Sequence, residues 1–139
     1  MNNFSISTAK DKLDLHAIHD FLSNRSYWAI GRSFETVKRS VENSLCFGMY
    51  DNTDKLVGFA RVLTDYAVFA YLMDVFILED FRKQGLGKQL MSAIMQHPDL
   101  QGLKRIMLAT NDAHGLYEKF GFKPTEIPEK LMEIVNKSQ

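Results

Sequence analysis

The chain has 139 residues, a length typical of one ordinary domain, so we expect a single domain over 1–139. Lysine plus arginine and aspartate plus glutamate each number 17, and no basic block stands out, so the charge balance indicates no nucleic-acid or membrane-surface partner. One cysteine cannot form an internal disulfide, and because neither a signal peptide nor an apolar run of membrane-spanning length is visible, we expect a soluble cytoplasmic protein.

A short strand and two helices are predicted near the start of the chain. Apolar and polar residues alternate over 4–6, as in a strand with one buried face. Apolar residues at helical spacing predict a first helix over 11–23, with Thr8 or Asp11 as its N-terminal cap. An aromatic and basic loop follows, and a serine then opens a second predicted helix over 33–43.

Three further strands and a strand–helix–strand unit are predicted in the middle of the chain. Apolar runs over 45–50, 56–63 and 71–78 are joined by short polar turns, which predicts an antiparallel meander. An amphipathic helix then begins near 86 and is ended by the first proline, and a strand over 105–110 comes after it. Because a parallel unit here joins an antiparallel meander, we expect a mixed sheet.

The glycine-containing stretch 82–87 joins the last strand of the meander to the amphipathic helix. Gly85 and Gly87 let the backbone approach a ligand closely, and the first N–H groups of the helix have no intrahelical partner, which favours an anion. Neither a Walker loop nor a dinucleotide fingerprint fits, because Arg82 and Leu90 stand where these motifs require a glycine. The stretch predicts either an anion site of another kind or a tight loop with solvated basic residues.

Two segments of the chain resemble a known family. The stretch Arg82-x-x-Gly85-x-Gly87 is similar to the Q/R-x-x-G-x-G/A loop of the GNAT family of N-acetyltransferases, which holds the pyrophosphate of coenzyme A. The segment 113–122, AHGLYEKFGF, resembles the family's A-x-x-L-Y-x-K-x-G-F segment and follows the loop at a fitting separation. Since both motifs occur in order, with a strand-like run between them, the chain resembles the GNAT family across 56–125.

The resemblance implies the GNAT fold, an α/β (α+β) fold with a mixed, mostly antiparallel sheet, splayed central strands and helices on both faces. Similar acetyltransferases end with a strand beside the segment that corresponds to Gly121-Phe122, so we expect a strand over 131–135. By local pattern alone, the residues from Pro128 onward instead predict a short helix opened by proline. Exposed sheet edges in so small a domain also favour a homodimer.

The resemblance further implies acetyl-CoA as the cosubstrate, with no metal. The backbone of Phe76 and Ile77 would pair with the pantetheine arm, because the strand before the glycine loop separates from its neighbour in this family. An asparagine that contacts the cofactor arm in many relatives corresponds in spacing to Thr110, and we assign its role to Asn111, one residue later. The residues expected at the pyrophosphate are Arg82, Lys83, Gln84, Gly85, Leu86, Gly87 and Lys88.

The reaction implied is the transfer of an acetyl group to a primary amine, by direct attack in a ternary complex. The amine must lose a proton, the thioester carbonyl needs a hydrogen-bond donor, and the departing thiolate must be stabilised or protonated. Tyr117 matches the tyrosine that this family commonly uses as the acid, and a neutral phenol can protonate a thiolate. The alternative is that Tyr117 only packs beside Phe120 and Phe122.

The proton acceptor is expected on the strand before the glycine loop. This strand is similar to that of spermidine/spermine acetyltransferases, in which an acidic pair occupies the positions of Met73 and Asp74. Asp74 either accepts the proton through a water, attracts a cationic amine or is satisfied by neighbouring backbone. The methionine argues against polyamine specificity. Asp65, Asp112 and His114 are further candidates for the base.

Tyr27 and Trp28 are expected to line the acceptor pocket. In similar proteins the connection between the first two helices covers the substrate side of the cleft, and here it carries these two adjacent aromatics. The alternative is that both rings anchor the loop. The expected acceptor is a small-molecule amine. A protein-lysine acetyltransferase and a catalytically inactive, CoA-responsive binding module stay open as alternatives.

Overall fold

The computed structural model describes residues 3–137. Within them, five strands form one sheet. The strands are β1 (Ser5–Ser7), β2 (Leu45–Tyr50), β3 (Leu56–Thr64), β4 (Phe69–Ile77) and β5 (Arg105–Leu108). They lie side by side in chain order. Neighbours from β1 to β4 are antiparallel, whereas β5 runs parallel to β4, which confirms the predicted mixed sheet.

Helices connect the strands and cover the sheet. The α-helices are α1 (Leu15–Arg25), α2 (Phe34–Glu42), α3 (Leu86–Gln96) and α4 (His114–Glu118). Single 3₁₀ turns occur at Lys10–Lys12, Glu79–Phe81, Pro98–Leu100 and Pro128–Lys130. Within residues 3–137, no helix is both long enough and apolar enough to cross a membrane.

Helix α1 begins later than the pattern predicts. Its cap is Asp14, whose carboxylate accepts the Ala17 N–H at 3.0 Å. Thr8 and Asp11 therefore do not cap it, and the residues before it form a separate 3₁₀ turn. Ser33 caps α2, as predicted, and α3 ends at Gln96, two residues before the predicted stop at Pro98.

The helices form a layer on each face of the sheet, which confirms the expected fold class. One face packs against α1 and α2 through a buried cluster that includes Phe21 and Val37. The other face packs against α3 and α4 through a second cluster that includes Leu90 and Met91. Removal of this apolar surface from water holds the sheet between the two layers.

Strand β4 is irregular at its centre and separates from β5 halfway along. Its pairing with β5 ends at Leu72 and Leu108, so within the described residues no strand lies beside its second half on that side. Its pairing with β3 shifts register between Phe59 and Arg61. Asp74 lies opposite this shift with a φ of 54°. A bulge of this kind bends the strand, and aspartate is among the few residues that tolerate a positive φ.

The prediction of a strand over 131–135 is wrong. The chain makes a single 3₁₀ turn at Pro128–Lys130 and has no regular secondary structure from 131 to 136. Met132 is 95% exposed and Ile134 is 99% exposed. A strand needs a hydrogen-bonded neighbour, and residues 3–137 provide none for this segment.

Candidate active site

A cleft of about 520 Å³ opens where β4 and β5 diverge. One wall is the centre of β4, and the other is the end of β5 with the loop that leads to α4. The loop between α1 and α2 covers one side. Predicted site residues that line the cleft are Tyr27, Trp28, Asp74, Asn111 and Tyr117.

The glycine loop turns sharply before α3. Lys83 and Gly85 have positive φ angles of 65° and 77°, and Gly85 stands at the N-terminal cap without a side chain to contribute. The amides of 86–88 precede the first helical hydrogen bond, which Gln89 makes to the Gly85 carbonyl at 3.1 Å, so they have no intrahelical acceptor. The side chain of Leu86 is buried in the core. Backbone N–H groups in such a turn form a concave anion site, to which the helix dipole adds.

The two glycines of this loop have different roles. A Cβ atom at Gly85 would meet nothing within 4 Å, so the positive φ is what requires glycine there. A Cβ atom at Gly87 would meet only Leu116 Cδ2, at 3.7 Å, which is an ordinary contact. Arg82 braces the loop against the end of β4, because its Nε donates to the Ile77 carbonyl at 3.0 Å.

Phe76 and Ile77 lie on β4 between the cleft and the glycine loop. The Phe76 ring is buried and stacks on Phe21, with 4.1 Å between ring centroids, which holds this end of β4 against α1. Both residues pair with β3 on one side, where Gly58 lies opposite Ile77. The other side of their main chain faces the gap between the diverging strands, because the pairing with β5 has already ended.

Tyr117 lies in α4 at the opposite wall of the cleft. It is 8% exposed and meets Phe122 edge to face, with 6.0 Å between ring centroids. Burial raises the pKa of Tyr117 to about 12, and Tyr27 and Asp112 raise it in the same direction. No residue in the described range 3–137 hydrogen-bonds to its hydroxyl. The phenol is therefore protonated at neutral pH and available as a donor.

Asp74 is the centre of a buried cluster of charged groups. Its side chain is 2% exposed, and its carboxylate accepts three hydrogen bonds. Trp28 Nε1 donates to one oxygen at 2.9 Å. Arg32 Nη1 and Arg61 Nε donate to the other oxygen, at 3.0 Å and 2.9 Å. Two guanidinium groups therefore outweigh the charge of one carboxylate, and the cluster carries a net positive charge at a site with little water.

These contacts bear on the predicted role of Asp74. Its partners are side chains and not neighbouring backbone. The carboxylate already accepts hydrogen bonds from two cations and an indole, so most of its acceptor positions are occupied. The contacts favour a positioning role, in which Asp74 holds Trp28 and Arg32 at the wall of the cleft. Its role as the proton acceptor stays a prediction.

The pair Tyr27 and Trp28 both lines the cleft and anchors its loop. The two residues are 49% and 39% exposed, and their rings meet edge to face at 5.0 Å between centroids. The Tyr27 hydroxyl accepts the Asn111 N–H at 3.1 Å, which joins this loop to the loop after β5. The polar group of each ring therefore holds the loop in place through a hydrogen bond, while the rings themselves line the cleft.

Arg32 and Arg61 are site residues that the sequence pattern did not reveal. Arg61 had a usable signal, because it is the one charged residue in the apolar run 56–63, and a charge in a buried strand needs a partner. For Arg32 the sequence offers only its place in an aromatic and basic loop.

The other candidates for the base lie in different places. Asp65 is in the turn between β3 and β4, where hydrogen bonds from backbone amides, that of Val68 first, lower its pKa to about 2. It does not line the cleft. His114 begins α4 and does not line the cleft either, whereas Asp112 does.

Known proteins resemble this chain in sequence and fold. The model of the Acetyltransferase (GNAT) family matches residues 15–122. A crystal structure of a GNAT-family protein from Xanthomonas campestris pv. campestris is 48% identical, with a TM-score of 0.94 covering 98% of this chain and 95% of that chain. The uncharacterized N-acetyltransferase ycf52 of Gracilaria tenuistipitata var. liui is 34% identical over 98 residues, which are 67% of this chain. This chain spans 54% of the length of ycf52.

A more distant structure shares the fold alone. It is a GNAT family acetyltransferase from Elizabethkingia anophelis with acetyl-CoA bound, 16% identical, with a TM-score of 0.67 covering 99% of this chain and 91% of that chain. The matching family model and the relatives above place the chain in the class of acetyltransferases. Since the family model covers more than half of it, the chain belongs to the GNAT family of acetyltransferases.

Proposed function

We propose that this chain transfers the acetyl group of acetyl-CoA to a primary amine, by direct attack within a ternary complex. Membership of the GNAT family supports acetyl transfer, and the Elizabethkingia anophelis relative has acetyl-CoA bound. One observation carries the proposal. The cleft is lined by Tyr117, whose hydroxyl has no hydrogen-bond partner in residues 3–137, and the strand at its other wall leads to the glycine loop.

The coenzyme is proposed to lie along β4. Its pyrophosphate binds the amides of 84–88 at the start of α3, where the exposed side chains of Lys83 and Lys88 add positive charge. Its pantetheine arm pairs with the main chain of Phe76 and Ile77, on the side that lacks a strand. The thioester then reaches the cleft.

Tyr117 is the proposed general acid. As the tetrahedral adduct collapses, the C–S bond breaks, the sulfur takes the electron pair, and the phenol supplies the proton. A pKa of about 12 keeps Tyr117 protonated at neutral pH, so it can stabilise the thiolate with a hydrogen bond as it forms. A main-chain N–H of β4 near the bulge is the proposed donor to the oxyanion. Asn111 offers its side-chain amide to the coenzyme arm, since its backbone N–H already bonds to Tyr27.

The acceptor is proposed to bind at the end of the cleft that contains Tyr27, Trp28 and Arg32. Asp74 brings one negative charge to this wall, but two guanidinium groups lie within 3.0 Å of it. A polyamine would meet like charge there. A small amine that also carries a carboxylate or phosphate can pair with Arg32, whose side chain is 22% exposed. We propose such an amine as the acceptor class, with Asp112 or a water taking its proton.

Release of the CoA thiol tests the proposal directly. The wild-type protein is incubated with acetyl-CoA and a panel of polyamines, amino acids, amino-sugar phosphates and lysine peptides. The sole cysteine, Cys46, is 1% exposed, so the protein itself adds little thiol background. We expect turnover with the acidic small amines. Turnover with lysine peptides alone would favour a protein-lysine acetyltransferase, and acetyl-CoA binding without turnover on any amine would favour a binding module.

Tyr117→Phe removes only the hydroxyl from the cleft. We expect kcat to fall by roughly 10²–10⁴-fold, the range typical of general acid catalysis. Calorimetry should show a Kd for acetyl-CoA near the wild-type value, because the ring still packs against Phe122. Tyr66→Phe is a matched control, since Tyr66 is 54% exposed in a turn away from the cleft. An unchanged kcat, measured when chemistry limits the rate, would leave Tyr117 with a packing role alone.

A further inference from the structure

The free edge of β5 borders a groove that the chain leaves open. β5 is the last strand in the sheet order, and within residues 3–137 its side away from β4 pairs with no other strand. A groove of about 660 Å³ separates this edge, 104–107, from the chain at 120–127. The N–H and C=O groups of such an edge are available to another strand.

The chain also carries a segment with the composition of a strand and no neighbour. Leu131, Met132, Ile134 and Val135 are 55%, 95%, 99% and 69% exposed. The backbone at Leu131 is extended, with a φ of −89° and a ψ of 131°. Four exposed apolar residues among five are unfavourable in water, and such exposure marks an interaction surface.

The segment 131–135 does not lie in the groove of its own chain. Lys130 and Leu131 stand at the wall of the groove, but the residues beyond them become almost fully exposed, so the segment leaves the groove unfilled. We propose that the segment 131–135 of a second copy fills the groove as an added strand beside β5. The two copies exchange these segments about a two-fold axis, so each supplies one strand and receives one.

The groove has the apolar lining that this segment requires. The apolar side chains of 131–135 point to both faces of an extended chain, which suits a strand that is covered on both sides. The lining of the groove includes Met95 of α3, together with Phe120 and Ile127. An inserted strand would therefore meet apolar partners instead of water.

The charges of the two elements are complementary as well. The groove edge carries Lys104 and Arg105, and Lys123 stands on the opposite wall. Lys123 pairs with Glu126 of its own chain at 3.1 Å. The segment has Glu133 at its centre, which can meet the basic edge of the other copy.

Light scattering after size exclusion, at several concentrations of the full chain, tests the exchange. The wild type should have twice the 16.0 kDa of one chain. Ile134→Asp places a charge in the exchanged strand and should shift the mass to that of the monomer. Because Ile134 is 99% exposed in the single chain, the substitution leaves its fold unchanged. Ile30→Asp is the matched control, since Ile30 is 71% exposed but lies outside the groove and the segment, and it should stay dimeric.

Hydrogen exchange distinguishes exchange between copies from closure within one chain. The amides of 131–135 should be protected in the dimer and lose that protection when dilution or Ile134→Asp produces the monomer. A monomer with protected 131–135 amides at every concentration would overturn the proposal, because the chain would then fill its own groove. A dimer that survives Ile134→Asp with these amides unprotected would overturn it too, and so would a wild type that is monomeric and unprotected throughout.

Discussion

Asp74 joins three parts of the chain at one carboxylate. It binds β3 through Arg61 and the loop between α1 and α2 through Trp28 and Arg32, and its own backbone forms the bulge of β4. Its φ of 54° is a conformation that aspartate and asparagine tolerate better than most residues. Breaking a buried ion pair from one side costs roughly 3–5 kcal/mol, because the remaining charge stays buried. The bulge and the acceptor wall therefore depend on the same residue.

Asp74→Asn keeps the shape and the backbone tolerance of this residue but removes its charge. We expect the free energy of unfolding, measured by urea titration, to fall by about 3 kcal/mol, since Arg61 loses its buried partner. The acceptor KM should rise while the Kd for acetyl-CoA changes little. Trp28→Phe is the milder comparison, because it removes one neutral donor and should cost about 1–2 kcal/mol. Wild-type stability combined with a large loss of kcat would instead make Asp74 a direct participant in proton transfer.

The resemblance was enough to identify Tyr117 and Asp74 but not their partners. Tyr117 lies in the second motif, and the strand that contains Asp74 is similar to that of spermidine/spermine acetyltransferases. The contacts of Arg32 and Arg61 with Asp74 depend on the β4 bulge and on a loop that folds across the sheet. Such contacts join distant parts of the chain, and no local pattern encodes them.

Among the elements, the turn into α3 restricts the choice of residue most, because Gly85 has a positive φ there. Gly87→Ala adds a Cβ at an ordinary distance of 3.7 Å from Leu116 Cδ2, so acetyl-CoA affinity should be kept. The same change should raise stability by up to about 1 kcal/mol, because alanine favours a helix over glycine. Gly87→Glu places a negative charge at the proposed pyrophosphate site and should abolish measurable binding in calorimetry. A folded Gly87→Glu protein with wild-type affinity would remove the site from this loop.

Most elements could be predicted because their signals are local. The apolar run of β2, the apolar stripe of α3 and the proline after that helix are visible within a few residues. The segment 131–135 has an equally good strand pattern, yet it forms no strand, because a strand exists only beside a partner. Whether this segment forms a strand depends on its contact with a sheet edge, and the local sequence contains no information about that contact.

On the scale of the whole molecule, buried acids with a raised pKa, Cys46 and Tyr117 among them, weaken the fold at alkaline pH. Burial raises the pKa of Cys46 from 9.0 to about 11 and that of Tyr117 from 10.0 to about 12. The folded state then holds each proton after the unfolded chain has lost it, so the free energy of unfolding falls as pH rises. For Cys46 the loss runs from pH 9.0 to about 11, and for Tyr117 from pH 10.0 to about 12.

Urea unfolding at about pH 8 and about pH 10.5 should show this loss, with roughly 2 kcal/mol of it from Cys46. Cys46→Ala lowers stability at both pH values through lost packing, but it removes the titrating thiol. The difference between the two pH values should therefore be smaller in Cys46→Ala than in the wild type. Equal differences in the two proteins would show that the thiol is not the source.

The four residues of β5 border two different places. One side of the strand leads to the cleft, and the other is the edge on which the exchanged segment is proposed to lie. Thermodynamic linkage is reciprocal. If acetyl-CoA strengthens the association of two copies, association strengthens acetyl-CoA binding by the same factor. If β5 couples the two places, the affinity for the coenzyme becomes a function of protein concentration. A Kd that is the same for monomer and dimer would mean that this strand transmits nothing from one side to the other.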